Sequence, residues 1–153
     1  IRVARLFNSY GPGMPVSDGR VIPAYLDAAI RGAPLPVHGD GTQTRSFCYV
    51  KDTIAGMLAL MDLPEPAYRV AGRRPAVINL GNPVEVSMGE LARLCWRTVR
   101  DTEPCIAVLP ANPDDPLRRC PDITSARELL RWEPRVALAD GLRRTAEWLR
   151  AAR

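Results

Sequence analysis

Arg2 to Phe7 alternates apolar and polar positions well enough to predict a strand, and Asn8-Ser-Tyr-Gly-Pro-Gly13 stops it with turn formers and a proline. The strand therefore delivers Asn8 to a loop. Val21, Ile22, Tyr25, Leu26, Ala29 and Ile30 recur at helical spacing, and Arg31-Gly32 closes that helix. Pro23 fits only its first turn, where the missing N–H is harmless. Leu35 to His38 is a short extended piece, Gly39-Asp-Gly41 a turn, and Ser46 to Val50 a second strand. Asp52 is placed to cap a helix over Thr53 to Met61, whose apolar face is Ile54, Met57, Leu58 and Met61.

Pro64 to Pro75 mixes prolines, charges and Gly72, and is expected to be a surface loop. Val77 to Leu80 is a strand, with Gly81-Asn-Pro83 as its turn. Ser87 stands three residues before Glu90, the spacing of a capping box, and Leu91, Leu94, Cys95 and Val99 share one face of the helix that follows. A strand over Ile106 to Leu109, a polar segment over Asp114 to Asp122, and helices over Thr124 to Leu130 and Leu138 to Leu149 complete the chain. Strands and helices alternate, which indicates an α/β fold. The strands are too few and too short for a complete doubly wound domain.

With 153 residues, 46% of them hydrophobic and 25% charged, the chain has the composition of one globular domain or a large piece of one. No run approaches the roughly 18 apolar residues of a membrane span. The opening also lacks a secretory layout, so the expectation is a soluble, cytoplasmic protein without a membrane partner. It opens on a strand rather than on Met, which leads us to expect a start inside a longer protein. The net charge of +4 rests almost wholly on arginine, Lys51 being the sole lysine. A GC-rich genome produces that bias, and so does a need for planar guanidinium forks around phosphate. The four cysteines lie far apart with no C-x-x-C pair, so neither a zinc site nor a disulfide scaffold is expected. His38 is the single histidine, and no nucleophile motif stands near it.

A glycine fingerprint for a dinucleotide, G-x-G-x-x-G between strand and helix, is absent. So is a Tyr followed four residues later by Lys: the positions after Tyr10, Tyr25, Tyr49 and Tyr68 are Met14, Ala29, Thr53 and Gly72. What the sequence offers instead is polar residues in loops beside strand ends. Asn8, Arg20, Arg45 and Arg119 come from four separate segments, and guanidinium groups with an amide form a set suited to a diphosphate. Taken singly, each of these arginines reads first as solvated surface charge.

The order of these segments resembles a known family. Asn8-Ser-Tyr-Gly-Pro, Asp18-Gly-Arg-Val, Gly39-Asp-Gly-Thr-Gln-Thr-Arg-Ser-Phe-Cys-Tyr-Val-Lys-Asp52 and Asn79-Leu-Gly-Asn-Pro83 are similar to the carboxy-terminal part of extended short-chain dehydrogenase/reductases acting on nucleotide sugars. Asp18-Gly-Arg-Val21 and Asp114-Asp-Pro-Leu-Arg-Arg-Cys-Pro-Asp-Ile123 most resemble the UDP-glucuronate decarboxylases of that family (NAD-dependent epimerases and dehydratases).

The resemblance implies a substrate-binding portion spanning residues 1–153, with the amino-terminal NAD-binding portion and its Rossmann core largely outside them. It implies a reaction in which NAD oxidises C4 of the sugar, the β-keto acid loses CO2, and re-reduction gives UDP-xylose. By itself the chain would hold no catalytic residue and would be inactive. The implied substrate residues are Arg5 at the sugar-facing end of its strand, Asn8 at the diphosphate or sugar, and Arg20 and Val21 in a substrate loop. Val37 and His38 would lie beside the uracil, Arg45 and Arg119 on the diphosphate, and Asp122 on the ribose hydroxyls. Cys120 departs from the basic residue many relatives carry. The implied partner is a UDP-sugar, with no nucleic acid, in a homodimeric parent. Two alternatives stay open at this point: a 4,6-dehydratase or 4-epimerase of another nucleotide sugar, and a non-catalytic module binding phosphate or nucleic acid.

Overall fold

The structure, a computed structural model, describes residues 1–68, 77–111 and 113–152. In chain order the elements are β1 (Ala4–Leu6), β2 (Ser9–Tyr10), α1 (Val21–Arg31), β3 (Leu35–His38), β4 (Thr44–Ser46), β5 (Cys48–Tyr49) and α2 (Val50–Asp62). They continue with β6 (Ile78–Leu80), β7 (Glu85–Ser87), α3 (Met88–Val99), β8 (Ile106–Leu109), β9 (Arg118–Arg119), α4 (Thr124–Leu130) and α5 (Leu138–Ala151). Among the described residues strand pairing is parallel for β1 with β6, β2 with β5, β3 with β8 and β4 with β9, and antiparallel for β4 with β7. This is an α/β arrangement of small sheets. Among the described residues no helix is long and apolar enough to cross a membrane.

Two hydrophobic clusters organise the molecule. In the larger, α1, α3 and α5 pack on one another around Leu26, Leu91, Cys95 and Leu142, with Leu35 and Val37 of β3 beneath them. In the smaller, Ile78 and Leu80 of β6 meet Leu60 of α2, Ala126 of α4 and Trp132. The helix α3 begins as its sequence requires: Ser87 Oγ accepts from the Glu90 N–H at 3.2 Å while the Glu90 carboxylate accepts from the Ser87 N–H at 3.0 Å.

Arginine also closes helices from behind. Arg100 donates from Nε to the Ala29 carbonyl at 2.6 Å and from Nη2 to that of Ile30, at the end of α1. Arg2 does the same for α2, donating to the carbonyls of Leu60, Met61 and Leu63. Both satisfy the orphan carbonyls of a last turn, where cations are favoured. So part of the arginine content serves the helices, a role that neither genome bias nor phosphate binding anticipates.

Three sequence expectations need correction. The strand expected over Ser46 to Val50 is split at Phe47: β4 joins β7 and β9, whereas β5 joins β2. Asp52 does not cap α2, which starts earlier, with Tyr49 in the cap position. Instead Asp52 is buried in the first turn, and its Oδ2 accepts the backbone N–H groups of Arg135 and Val136 at 3.0 and 2.9 Å. The apolar face Ile54, Met57, Leu58 and Met61 points outward, while Thr53, Gly56 and Leu60 face the interior. Most of the expected loop over Pro64 to Pro75 lies outside the described residues, but its first part includes a short 3-10 turn over Glu65–Ala67 and the buried Tyr68.

Candidate functional site

A cavity of about 870 Å³ opens where β1 ends, between the residue 8–10 segment, the start of α1 and the segment leading into β9. Parallel pairing fixes its floor. The Phe7 N–H donates to the Leu80 carbonyl at 3.0 Å, and the Asn8 carbonyl accepts from the Cys48 N–H at 2.8 Å, so the chain leaving β1 is held on both sides. Asn8 Nδ2 donates to the Ser46 carbonyl at 3.1 Å, which fixes the amide plane and leaves one N–H and the oxygen for another partner.

Arg5, Asn8, Arg20, Val21 and Arg119 all line this cavity, so five of the nine residues expected at a substrate come together. Arg20 stands at the entry of α1, its backbone N–H donating to Asp18 Oδ1 at 2.9 Å and its Nε 3.4 Å from Asp18 Oδ2. Val21 then opens the helix, whose N-terminal end faces the same space and favours negative charge. Among the described residues, neither Arg5 nor Arg119 has a side-chain hydrogen bond or ion pair. Three arginines therefore line the cavity, and among the described residues Asp115 is the one acidic residue beside them in its lining.

The alternation of side chains along a strand explains why Arg119 is free and Arg118 is not. Arg118 and Thr44 lie side by side on β9 and β4, and both reach Glu85: Arg118 Nη2 donates to it at 2.7 Å and Thr44 Oγ1 at 2.6 Å. The Arg118 guanidinium and the Thr44 hydroxyl hold the Glu85 carboxyl below the usual glutamate range. The next pair in register, Arg45 and Arg119, projects to the other face. There Arg45 is only 7% exposed and does not itself line the cavity; its Nη2 donates to Asp115 Oδ1 at 2.6 Å and its Nη1 to the Thr44 carbonyl at 2.8 Å. Arg119 is exposed on the cavity side.

Three expected residues lie elsewhere. Val37 is a core residue paired with Val108 of β8. His38 is exposed, its Nδ1 3.0 Å from the Pro110 carbonyl oxygen. Asp122 sits at the start of α4, where its Oδ1 accepts from the Thr124 N–H at 2.9 Å and hydroxyl at 2.7 Å; these bonds hold its carboxyl below the usual aspartate range. None of the three lines the cavity. Asp115 lies within the Asp114 to Ile123 motif, where its residue type alone assigns it no role. A buried arginine on a strand requires an anion, and a carboxylate just ahead of the strand paired with it is the signal that would have found it.

Residues 1–81 match the model of the NAD dependent epimerase/dehydratase family. The chain belongs to that family. It is 46% identical over 142 residues to UDP-glucuronic acid decarboxylase 4 of Arabidopsis thaliana, covering 93% of this chain and 30% of the relative. It is 42% identical over 150 residues to UDP-glucuronic acid decarboxylase 1 of Xenopus tropicalis, covering 98% of this chain and 33% of that one. The fold superimposes with a TM-score of 0.84 on a Bacillus cereus UDP-glucuronic acid 4-epimerase in complex with UDP-glucuronic acid and NAD, at 26% identity, over 99% of this chain and 46% of the epimerase. A Thermotoga maritima UDP-glucose 4-epimerase with UDP-glucose gives 0.83 at 29% identity, again over 99% and 46%. The chain thus spans about a third of the curated relatives it matches and under half of these solved ones.

NAD is the family's cofactor, and the glycine turns here lack the G-x-G-x-x-G spacing that cradles its pyrophosphate. Two of the described glycine turns approach protein closely: a Cβ at Gly11 would stand 2.5 Å from Val50 Cγ1, and one at Gly41 2.9 Å from Val37 Cγ1 and 3.2 Å from the Gly89 nitrogen, whereas Gly13 and Gly19 have nothing within 4 Å. Neither Gly11 nor Gly41 leads directly into a helix N-terminus, the arrangement a pyrophosphate requires, and Gly19, which does precede α1, lacks the further glycines of the dinucleotide fingerprint.

Proposed function

We propose that residues 1–153 are the nucleotide-sugar-binding portion of a UDP-glucuronate decarboxylase whose NAD-binding portion lies on the amino-terminal side, outside them. One observation carries the reading: Arg5 on β1 and Arg119 on β9, both without a protein partner among the described residues, share a cavity with Arg20 and Asn8. A UDP-uronate carries two separated anionic groups, the diphosphate and the C6 carboxylate, and guanidinium groups on different strands suit such a ligand. In this reading Arg119 and Arg20 take the diphosphate, Arg5 the carboxylate, and Asn8 a sugar or phosphate oxygen. Arg45 acts from behind the wall through Asp115. Val37, His38 and Asp122 retain the uridine end, through the backbone of β3 and the turn that opens α4. Binding energy gathered at the nucleotide is used to place the sugar for the chemistry. The same proposal makes the whole protein a cytoplasmic homodimer with no membrane or nucleic-acid partner.

The test is the complete protein with NAD and UDP-glucuronate, in which release of CO2 is the expected result. Formation of UDP-galacturonate, or of a 4-keto-6-deoxy sugar from dTDP-glucose, would replace the decarboxylase with an epimerase or a dehydratase. Binding of a random oligonucleotide with no response to UDP would move the protein out of sugar chemistry. Within the site, Arg119→Ala should weaken UDP binding by about 1.5–3 kcal/mol, the range of a charge-assisted hydrogen bond. Arg5→Ala should weaken UDP-glucuronate and leave UDP unchanged.

A further inference from the structure

Asp115 is the exception in a cationic wall. It lines the cavity with Arg5, Arg20 and Arg119, and its Oδ1 accepts from Nη2 of the buried Arg45 at 2.6 Å. Arg45 is itself fixed from the other side, its Nη1 donating to the Thr44 carbonyl at 2.8 Å, which holds the carboxylate in place. Asp115 Oδ2 has no hydrogen bond or ion pair among the described residues, and the side chain is 40% exposed. Neighbouring carboxylates are used more fully. Glu85 takes the Arg118 guanidinium on both oxygens and the Thr44 hydroxyl on one of them. Asp18 meets Arg20 with both, accepting the Arg20 backbone N–H on Oδ1 and standing 3.4 Å from its Nε with Oδ2. A counter-ion for a buried arginine needs only the oxygen it turns to that arginine. The second oxygen of Asp115 is an acceptor left over, on a residue that lines the cavity.

A carboxylate repels both anionic ends of a UDP-uronate, so neither the diphosphate nor the C6 carboxylate settles against it. Those groups go to the arginines. Between them in the ligand lies the pyranose ring, whose hydroxyls are donors, and a charged acceptor bonds a hydroxyl more strongly than a neutral one does. We infer that Asp115 is a specificity residue of the site, its Oδ2 accepting a hydrogen bond from a ring hydroxyl of the sugar, with Arg45 the positioning residue behind it. The inference rests on the nucleotide-sugar reading above. It narrows the ligand to a sugar whose hydroxyl at that position is free, since an esterified oxygen has no hydrogen to give and a phosphate there is repelled. It also gives the cavity a direction. Arginines alone would accept either anionic end of the ligand at any of them, whereas one carboxylate among them fixes where the uncharged ring must pass.

Calorimetry on the complete protein tests this, with NADH in place of NAD so that no sugar is oxidised. UDP-glucuronate should bind Asp115→Asn about tenfold more weakly than wild type, because the amide keeps its oxygen for Arg45 and presents N–H where the acceptor stood. UDP, which has no pyranose, should bind the variant no more weakly than wild type. Analogues with fluorine in place of the hydroxyl at C2, C3 or C4 identify the donor: one of them should bind wild type about tenfold more weakly than UDP-glucuronate and show no further loss in Asp115→Asn. If Asp115→Asn does not fold, the double variant Arg45→Met/Asp115→Leu, which removes the buried guanidinium together with its partner, takes its place with the same ligands. An equal loss for UDP and UDP-glucuronate would mean that Asp115 serves only to hold Arg45, and overturns the inference. Unchanged affinity for both does so too, as do three fluorinated analogues that all bind wild type like UDP-glucuronate. Each of these leaves the nucleotide-sugar reading standing. Wild-type protein that binds none of the ligands overturns that reading and this inference together.

Discussion

The helices α1 and α2 are both amphipathic, and they meet opposite fates. In α1 the stripe of Ile22, Leu26 and Ala29 is fully buried against α3 and α5, and the cluster around it closes within the chain. In α2 the corresponding stripe faces out and the side with fewer large apolar groups faces in. An apolar stripe records which face needs covering and says nothing about what covers it. The half of the molecule around α1 buries its stripe within the chain; the half around α2 leaves one open to solvent.

That comparison breaks first at its most buried point. Leu26→Ala should destabilise the protein by about 3–5 kcal/mol, since a fully buried leucine loses both transfer energy and packing. Leu58→Ala should cost less than about 0.5 kcal/mol wherever its face is open to water. Urea denaturation of the two variants measures the contrast. A similar loss for both in the complete protein would show that α2 is covered there as α1 is covered here.

Asp52 joins the two halves, and its removal is the next largest effect expected. Its carboxylate holds the Arg135 and Val136 N–H groups in the turn that leads to α5, while its carbonyl accepts from Trp132 Nε1 at 2.9 Å. Asp52→Ala leaves the two N–H groups without their partner and should cost about 2–3 kcal/mol. Hydrogen exchange should locate the loss at residues 135–136. If those amides stay protected in the variant, the coupling runs through Trp132 alone.

The sequence was most legible where signals are local. The capping box at Ser87, the strand over Ile106 to Leu109 and the helix over Thr124 to Leu130 depend on near neighbours and appear as expected. Asp52 looked like a cap because a carboxylate before a helical run ordinarily is one, and only a partner more than eighty residues away reveals its role. Phe47 breaks a strand because β4 and β5 have different partners, which no window around it can show. In the cavity, Arg5, Asn8, Arg20 and Arg119 could be named from residue type and resemblance. That Arg118 turns to Glu85 while Arg119 lies on the cavity side with Arg45 depends on the register of β4 with β9. The Ser87 cap gives the next prediction: Ser87→Ala should cost about 1 kcal/mol and fray the first turn of α3. The closed half should feel this loss and the α2 half should not, a distinction that amide exchange resolves.

The smallest effect belongs to the surface ladder behind the cavity. Glu85 is held below the ordinary glutamate range, first by the Arg118 side chain and then by Thr44. A carboxyl whose folded value is depressed binds its proton more weakly folded than unfolded, so its contribution is complete above the ordinary glutamate range. It disappears as the pH falls through the depressed folded value. Acidification should therefore loosen the β7–β4–β9 sheet before the core around Leu26, and Glu85→Gln should flatten that part of the stability curve while leaving stability near neutrality only slightly lower. The pair is exposed enough for salt to screen, so the difference between wild type and Glu85→Gln should shrink in high salt. An acid limb that Glu85→Gln leaves unaltered would shift the pH response to other carboxylates, with Asp122 at the start of α4 the next to replace.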